Sequence, residues 1–513
     1  MQRNFWKKFT DKAASAVVLA IFTLIAYAEV YAFVSGGFFE TNRLLYGYSF
    51  LSILLLTVMS GLTMYFGVNL YFSLYRPEVD RKGTMIFAAE ILTLMIGAAI
   101  PVILYYARTM ESVVFLKTLP YFLAGLAAFL FLILIPLVKK RGILALIAVV
   151  VTIGAVCGFS AVSANGEKLS FEAAPVVIDN GEDFSVVWAT NVNSIGYLEY
   201  TYAGQKYTVY DAEDGKYRAD KRVHTVHVPY DHLYGNTYTI SSAKVLKNAS
   251  RYSETGGFVT SKEYRFADKV TGSSLKMLSL TDMHEDVDSA YAVAAARPDF
   301  DILLMMGDEI NYVNEFEDII DYIVIPGGNI TGGAKPVLFV RGNHETRGKY
   351  SSDIKDVLGM KKYYYTTSYG EQNFIVFDGS EETADDDPWS GGIFLSEVYR
   401  EEELDEMESL PIPLSGYNIC LCHIPVYSTG KDTDQYARFA AILKAWQVKL
   451  EISGHEHYLE YEKGEDFDTL IGGGPTDDNG YVSCMITIAD GAATIEAYNA
   501  KGTVTTYGPI SLR

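Results

Sequence analysis

Residues 335–345 read Lys-Pro-Val-Leu-Phe-Val-Arg-Gly-Asn-His-Glu, and this stretch decides how the C-terminal half of the chain folds. Val337-Leu338-Phe339-Val340 is a short apolar run of β-formers, with Pro336 before it and Arg341-Gly342 after it. That pattern is a buried strand ending abruptly. An amide, an imidazole and a carboxylate (Asn343, His344, Glu345) follow at once. In open α/β proteins ligands bind beyond the carboxyl ends of strands, so chemistry is expected here.

Outward from it, the same pattern recurs. Residues 275–281, 301–306, 373–377, 417–422 and 448–452 are compact apolar strands, with helical patterns at 286–296, 314–323, 397–410 and 434–445 between several of them. Alternating strand and helix implies an α/β layered domain over 271–513. Residues 481–507 are β-rich and fit an antiparallel edge. Residues 165–270 read instead as short strands separated by Asn180-Gly181, Asp214-Gly215 and Gly235-Asn236, which favours a β-sandwich with Trp188 as a core anchor.

The first 164 residues differ in kind. Five apolar stretches, about 13–34, 49–72, 85–106, 113–138 and 142–162, are each long enough to cross a bilayer, at roughly 20 residues per span. The fold class expected is therefore multidomain: a five-helix transmembrane region (1–164), a β-sandwich (165–270) and the α/β domain (271–513). Cations cluster before the first span, between the second and third (Arg76, Arg81, Lys82) and between the fourth and fifth (Lys139-Lys140-Arg141). The positive-inside rule puts these flanks in the cytoplasm and everything after residue 164 outside, on a bacterial plasma membrane. Glu29 and Glu90 lie within spans. Cys157, Cys420, Cys422 and Cys484 form no disulfide framework.

Of the chain's net charge of −21, residues 1–164 carry 13 Lys and Arg against 7 acids, so the remainder stands at −27. A field of that sign repels nucleic acid. The partner expected of the apolar stretches is the lipid bilayer.

Five of the eight histidines stand at or just past strand ends: His284, His344, His423, His455 and His457. Asp282 and His284 are alternate residues, so on a regular strand their side chains would point the same way. Imidazole with carboxylate and amide oxygens suits zinc, iron or manganese, and an aspartate such as Asp308 has two oxygens with which to bridge a pair of ions. His224, His227 and His232, in the sandwich, are expected at the surface.

The series Asp282-x-His284, Gly307-Asp308, Gly342-Asn343-His344-Glu345, His423 and Gly454-His455-x-His457 resembles the calcineurin-like metallophosphoesterases, over about 271–513. The resemblance implies two di- or trivalent ions (Fe, Mn or Zn). Asp282, His284, Asp308 and His457 would hold one. Asp308, Asn343, His423 and His455 would hold the other. His344 would be the general acid, with Glu345 orienting it. The implied activity is hydrolysis of phosphomonoesters or phosphodiesters by metal-activated hydroxide.

The sandwich is similar to the fibronectin-III-like domain of purple acid phosphatases, through residues 185–190 and 233–238. The metal motifs depart from those enzymes, since Asn311 stands where they have a tyrosinate ligand. Arg341 and Arg347 flank the third motif and are read either as surface or structural arginines or as phosphate contacts, and residues 379–392, with Asp385-Asp386-Asp387 and Trp389, are read either as a lid or as an ordinary acidic loop. The competing reading is a surface binding or adhesion protein that uses the phosphoesterase fold as a scaffold.

Overall fold

The computed structural model describes residues 168–248, 253–413, 415–428 and 435–513. The five apolar stretches, Glu29, Glu90 and Cys157 lie outside the described residues. Among those described, no helix is long and apolar enough to cross a membrane.

Residues 169–245 and 256–513 form one compact unit. A ten-stranded sheet runs through it. In spatial order its main path is Gly502–Ser511, Ala492–Asn499, Gly480–Ala489, Leu275–Leu280, Ile302–Met305, Pro336–Phe339, Val176–Asp179, Phe184–Ala189 and Val223–Val228. The three central strands from 275, 302 and 336 are parallel, and the C-terminal strands close one edge as antiparallel hairpins. On the other side Val177 lies opposite Pro336 and Asp179 opposite Leu338 in parallel register. The β-rich segment before residue 270 thus shares its inner sheet with the α/β region.

A second sheet of six strands runs Tyr365–Tyr369, Gln372–Val376, Tyr417–Leu421, Leu450–Ser453, Asp468–Gly472 and Leu459–Glu462. Its four central strands are parallel. Strand periodicity explains how it is buried on both faces. Phe374, Val376, Ile419 and Leu421 pack into the core shared with the large sheet. Their neighbours Ile375, Phe377, Cys420 and Cys422 pack with Leu404, Met407 and Phe439 of the helices Ser396–Ser409 and Gln435–Ala445.

The same split recurs in Val176–Asp179 and Phe184–Ala189. Val176, Ile178 and Val187 join the main core, whereas Val177, Val186 and Trp188 face an outer sheet that includes Ser194–Tyr202 and Thr237–Asn248. Trp188 is the expected anchor, fully buried with Nε1 donating to Ser242 Oγ at 3.1 Å. His224 departs from expectation. It is fully buried rather than at the surface, because Asp211 and Ser194 satisfy both ring nitrogens at 2.8 and 2.6 Å.

Candidate metal centre

The strand ends of the two sheets meet at one place, tied by the His455 N–H donating to Asp282 Oδ2 at 3.0 Å and by His423 Nδ1 on Met306 O at 2.7 Å. Asp282, His284, Asp308, Asn343, His423, His455 and His457 gather there. Potential ligand atoms of Asp282, His284 and His457 lie within 4.8 Å of one another, and those of Asp308, His423 and His455 do likewise. Asp308 Oδ2 is 3.2 Å from His423 Nε2 and 3.9 Å from His284 Nε2, so it lies between the two groups.

The backbone is strained to achieve this. Asp282, His284, Asp308, His455 and His457 all have left-handed φ, between 46° and 73°. Such residues each cost on the order of 1–3 kcal/mol and persist where surrounding structure over-determines them. Asp282 and His284 converge through these turns and not through strand alternation, since the strand stops at Leu280. Two glycines are required by close approach. A Cβ on Gly342 would sit 2.2 Å from Asp308 Oδ1, and one on Gly454 would sit 1.8 Å from Thr281 Oγ1.

Three of the imidazoles have one nitrogen committed outward. His284 Nδ1 is 3.1 Å from Asn311 Oδ1, and His423 Nδ1 is 2.7 Å from Met306 O. His455 Nε2 is 3.1 Å from a Glu382 carboxylate oxygen. An acceptor on one nitrogen places the proton there and leaves the other as a lone pair. The free nitrogens face inward: His284 Nε2 and His457 Nε2 stand 3.0 Å apart, and His455 Nδ1 is 3.1 Å from Asn343 Oδ1. Asn343 Oδ1 also lies 3.2–3.3 Å from both Asp308 oxygens. Imidazole nitrogens and carboxylate oxygens converge here from both groups, a donor set suited to di- or trivalent cations. The residues present therefore fit a pair of metal ions, and the outward partners match how ligating histidines are held.

The charges of the cluster act strongly on one another. Burial alone would lower the His423 pKa, but the adjacent Asp308 and Asp282 carboxylates raise it to about 10. Burial works against ionisation of Asp308, yet His423 and His344 hold its carboxyl well below the usual range.

Glu345 does not orient His344, contrary to expectation. Its fully buried carboxylate accepts from the backbone N–H groups of Asp308 (2.9 Å), Ile310 (3.1 Å) and Gly342 (2.9 Å), bracing the loops that carry the second and third motifs. The His344 ring is held by Asn311 O on Nδ1 (2.8 Å) and by Arg347 on Nε2 (2.9 Å). Arg341 turns away, pairing with buried Asp378 at 2.6 Å beside the Tyr363 ring, so it is structural.

Four contributors were not singled out by sequence pattern for the roles they hold. Asn311 orients both His284 and His344. Glu309 is fully buried next to Asp308, its carboxyl raised by burial and then by the charge of Glu345. Glu381 grips Arg347, and Glu382 holds His455. The last two carried a signal as part of the suspected 379–392 lid, and Asn311 only as the absence of a tyrosine.

Residues 275–459 match the family model for calcineurin-like phosphoesterases. The chain carries a metal-dependent phosphoesterase domain. No curated protein sequence matches the chain. A purple acid phosphatase from yellow lupin (Lupinus luteus) seeds is similar over 65% of this chain and 74% of its own, at 12% identity and a TM-score of 0.44. GAP50, the anchor in the inner membrane complex of Plasmodium, is similar over 47% and 90%, at 15% identity and a TM-score of 0.34. The phosphopantetheinyl hydrolase of Mycobacterium tuberculosis is similar over 39% and 89%, at 12% identity and a TM-score of 0.27. The matched span of the phosphoesterase domain contains every residue of the centre described above.

Proposed function

We propose that this chain is a membrane-anchored, extracytoplasmic, binuclear phosphoesterase that hydrolyses phosphomonoesters or phosphodiesters. The carrying observation is the set of inward-facing nitrogens and oxygens, with His284, His423 and His455 each backed by an outward partner. In this reading Asp282, His284, Asp308 and His457 hold one ion, and Asp308, Asn343, His423 and His455 hold the other. When bound, such a pair clamps the ester and makes water nucleophilic near neutral pH. The five apolar stretches of 1–164 support the anchor and the cation bias supports the outward face, with residues 165–270 serving as a fibronectin-III-like neighbour.

His344 is the proton donor to the leaving oxygen. In the resting ring its Nδ1 proton is committed to Asn311 O, and Nε2 accepts from Arg347. Delivery therefore requires the guanidinium to leave Nε2 and that nitrogen to take up a proton from solvent water. An arriving phosphoryl group, being anionic, competes for the guanidinium.

The test uses the purified full chain in detergent, stripped with chelator and reloaded separately with Mn²⁺, Zn²⁺ or Fe²⁺. Hydrolysis of nitrophenyl phosphate or bis-nitrophenyl phosphate that returns with two ions per chain is the expected result. Reloaded protein that cleaves neither ester sinks the proposal.

A further inference from the structure

Glu381 and Glu382 are adjacent, yet they reach the centre from two sides. They lie between the strand Gln372–Val376 and the helix Ser396–Ser409. This stretch is anchored: buried Arg400 donates to Gly379 O at 3.3 Å, and Ser380 Oγ is 3.1 Å from Ser396 Oγ. Glu381 is fully buried and binds Arg347 through two contacts, at 2.8 and 3.1 Å. The Arg347 guanidinium in turn lies 2.9 Å from His344 Nε2 and 2.8 Å from the Asn343 side-chain amide. Glu382, at the rim, holds His455 Nε2 at 3.1 Å.

We propose that Glu382 is a positioning residue for the metal centre, fixing His455 in the tautomer that turns the Nδ1 lone pair inward, while Glu381 positions His344 through Arg347. A carboxylate can only accept, so it keeps the single proton of a neutral imidazole on Nε2 and the lone pair on Nδ1. Without that partner the ring is free to take the other tautomer, whose inward nitrogen carries a proton and cannot ligate. Outer partners of this kind are worth about 10–100-fold in metal affinity. Because Glu382 lies at the surface, its truncation removes no core packing. Loss of metal affinity without loss of stability is therefore the signature of the role.

This inference rests on the binuclear reading above, and the experiment separates the two. Metal-stripped full chain is titrated calorimetrically with Zn²⁺, with thermal unfolding followed in parallel, for wild type, Glu382→Gln and Glu382→Ala. Wild type should take up two ions. Glu382→Ala should weaken one of them about 10–100-fold, leave the other within a factor of two, and leave the metal-free melting temperature unchanged. Glu382→Gln, which keeps an acceptor oxygen but not the charge, should weaken the same ion by less. Two unchanged affinities in Glu382→Ala would overturn this inference alone. A wild type that takes up no second ion would overturn the binuclear reading and this inference with it. A Glu382→Ala protein that melts lower in the metal-free state would make the residue a structural one and overturn the inference as well.

Discussion

The sandwich and the phosphoesterase domain each bury histidine beside aspartate, and they use it in opposite ways. His224 has Asp211 on Nδ1 and Ser194 on Nε2, with Trp188 alongside, so both nitrogens are consumed and the group is sealed at 0% exposure. His423 is as deeply buried, but only Nδ1 is satisfied by neutral backbone, and Nε2 is turned onto the Asp308 carboxylate. Burial and an acidic neighbour therefore do not distinguish a structural imidazole from a ligand. The destination of the second nitrogen does.

The largest expected effect comes from the residue both ion groups share. Asp308→Asn should lose turnover and bound metal together, because a neutral amide oxygen replaces the carboxylate shared by the two groups. Metal content and hydrolysis rate check this, and a variant keeping two ions and near-native turnover breaks the comparison.

Next comes His344→Ala. It should keep both ions while losing about 10²–10⁴-fold in alkyl-ester hydrolysis, with far less effect on nitrophenyl esters, whose leaving group departs without a proton. Equal losses on both esters would assign His344 to positioning of phosphate instead.

On the sandwich side, His224→Ala should leave metal content and rate intact. It strands the buried Asp211 Oδ2 at a cost of about 1–3 kcal/mol, measurable by denaturant unfolding of the metal-stripped protein. A change in metal content would show that the two regions are not separable in function.

The smallest effect is on pH dependence. His423 is raised from 6.5 to about 10 in the metal-free protein. The stability it contributes is fully present below about 6.5 and lost as pH rises through about 10. Denaturant midpoints of stripped protein should fall across that window, and reloaded protein should lose less, because a bound ion occupies the same nitrogen at high pH. Equal slopes with and without metal would count against His423 as a ligand.

The strands and the polar residues that gather at their ends are legible in sequence for one reason. Each motif is local, an apolar run followed at once by its polar residues, as in Val337–Val340 and Asn343-His344. What escaped was set by partners distant in sequence. Glu345 looked like a companion to its neighbour His344, but its acceptor oxygens are claimed by N–H groups of residues 308, 310 and 342. Asn311 was legible only as the absence of a tyrosine, because its work is done by an amide and a carbonyl pointing at two different motifs. The run 184–188 has the alternation of a half-exposed strand, yet both its faces are buried, since apolar and small residues alternate with no charge among them.

The shared sheet has a practical consequence for anyone cutting the chain. Asp179 accepts from Tyr230 (2.5 Å), Thr367 (2.7 Å) and Tyr369 (2.7 Å), riveting the segment before residue 270 to the second sheet after it. An expression clone starting at residue 271 would discard half of that rivet and bare the backbone of Pro336–Phe339 as a raw, apolar sheet edge one loop away from Asn343 and His344. Exposed edges of that kind recruit other chains. The smallest soluble piece worth making therefore begins before Val176, and the catalytic half is not a cassette that can be moved alone.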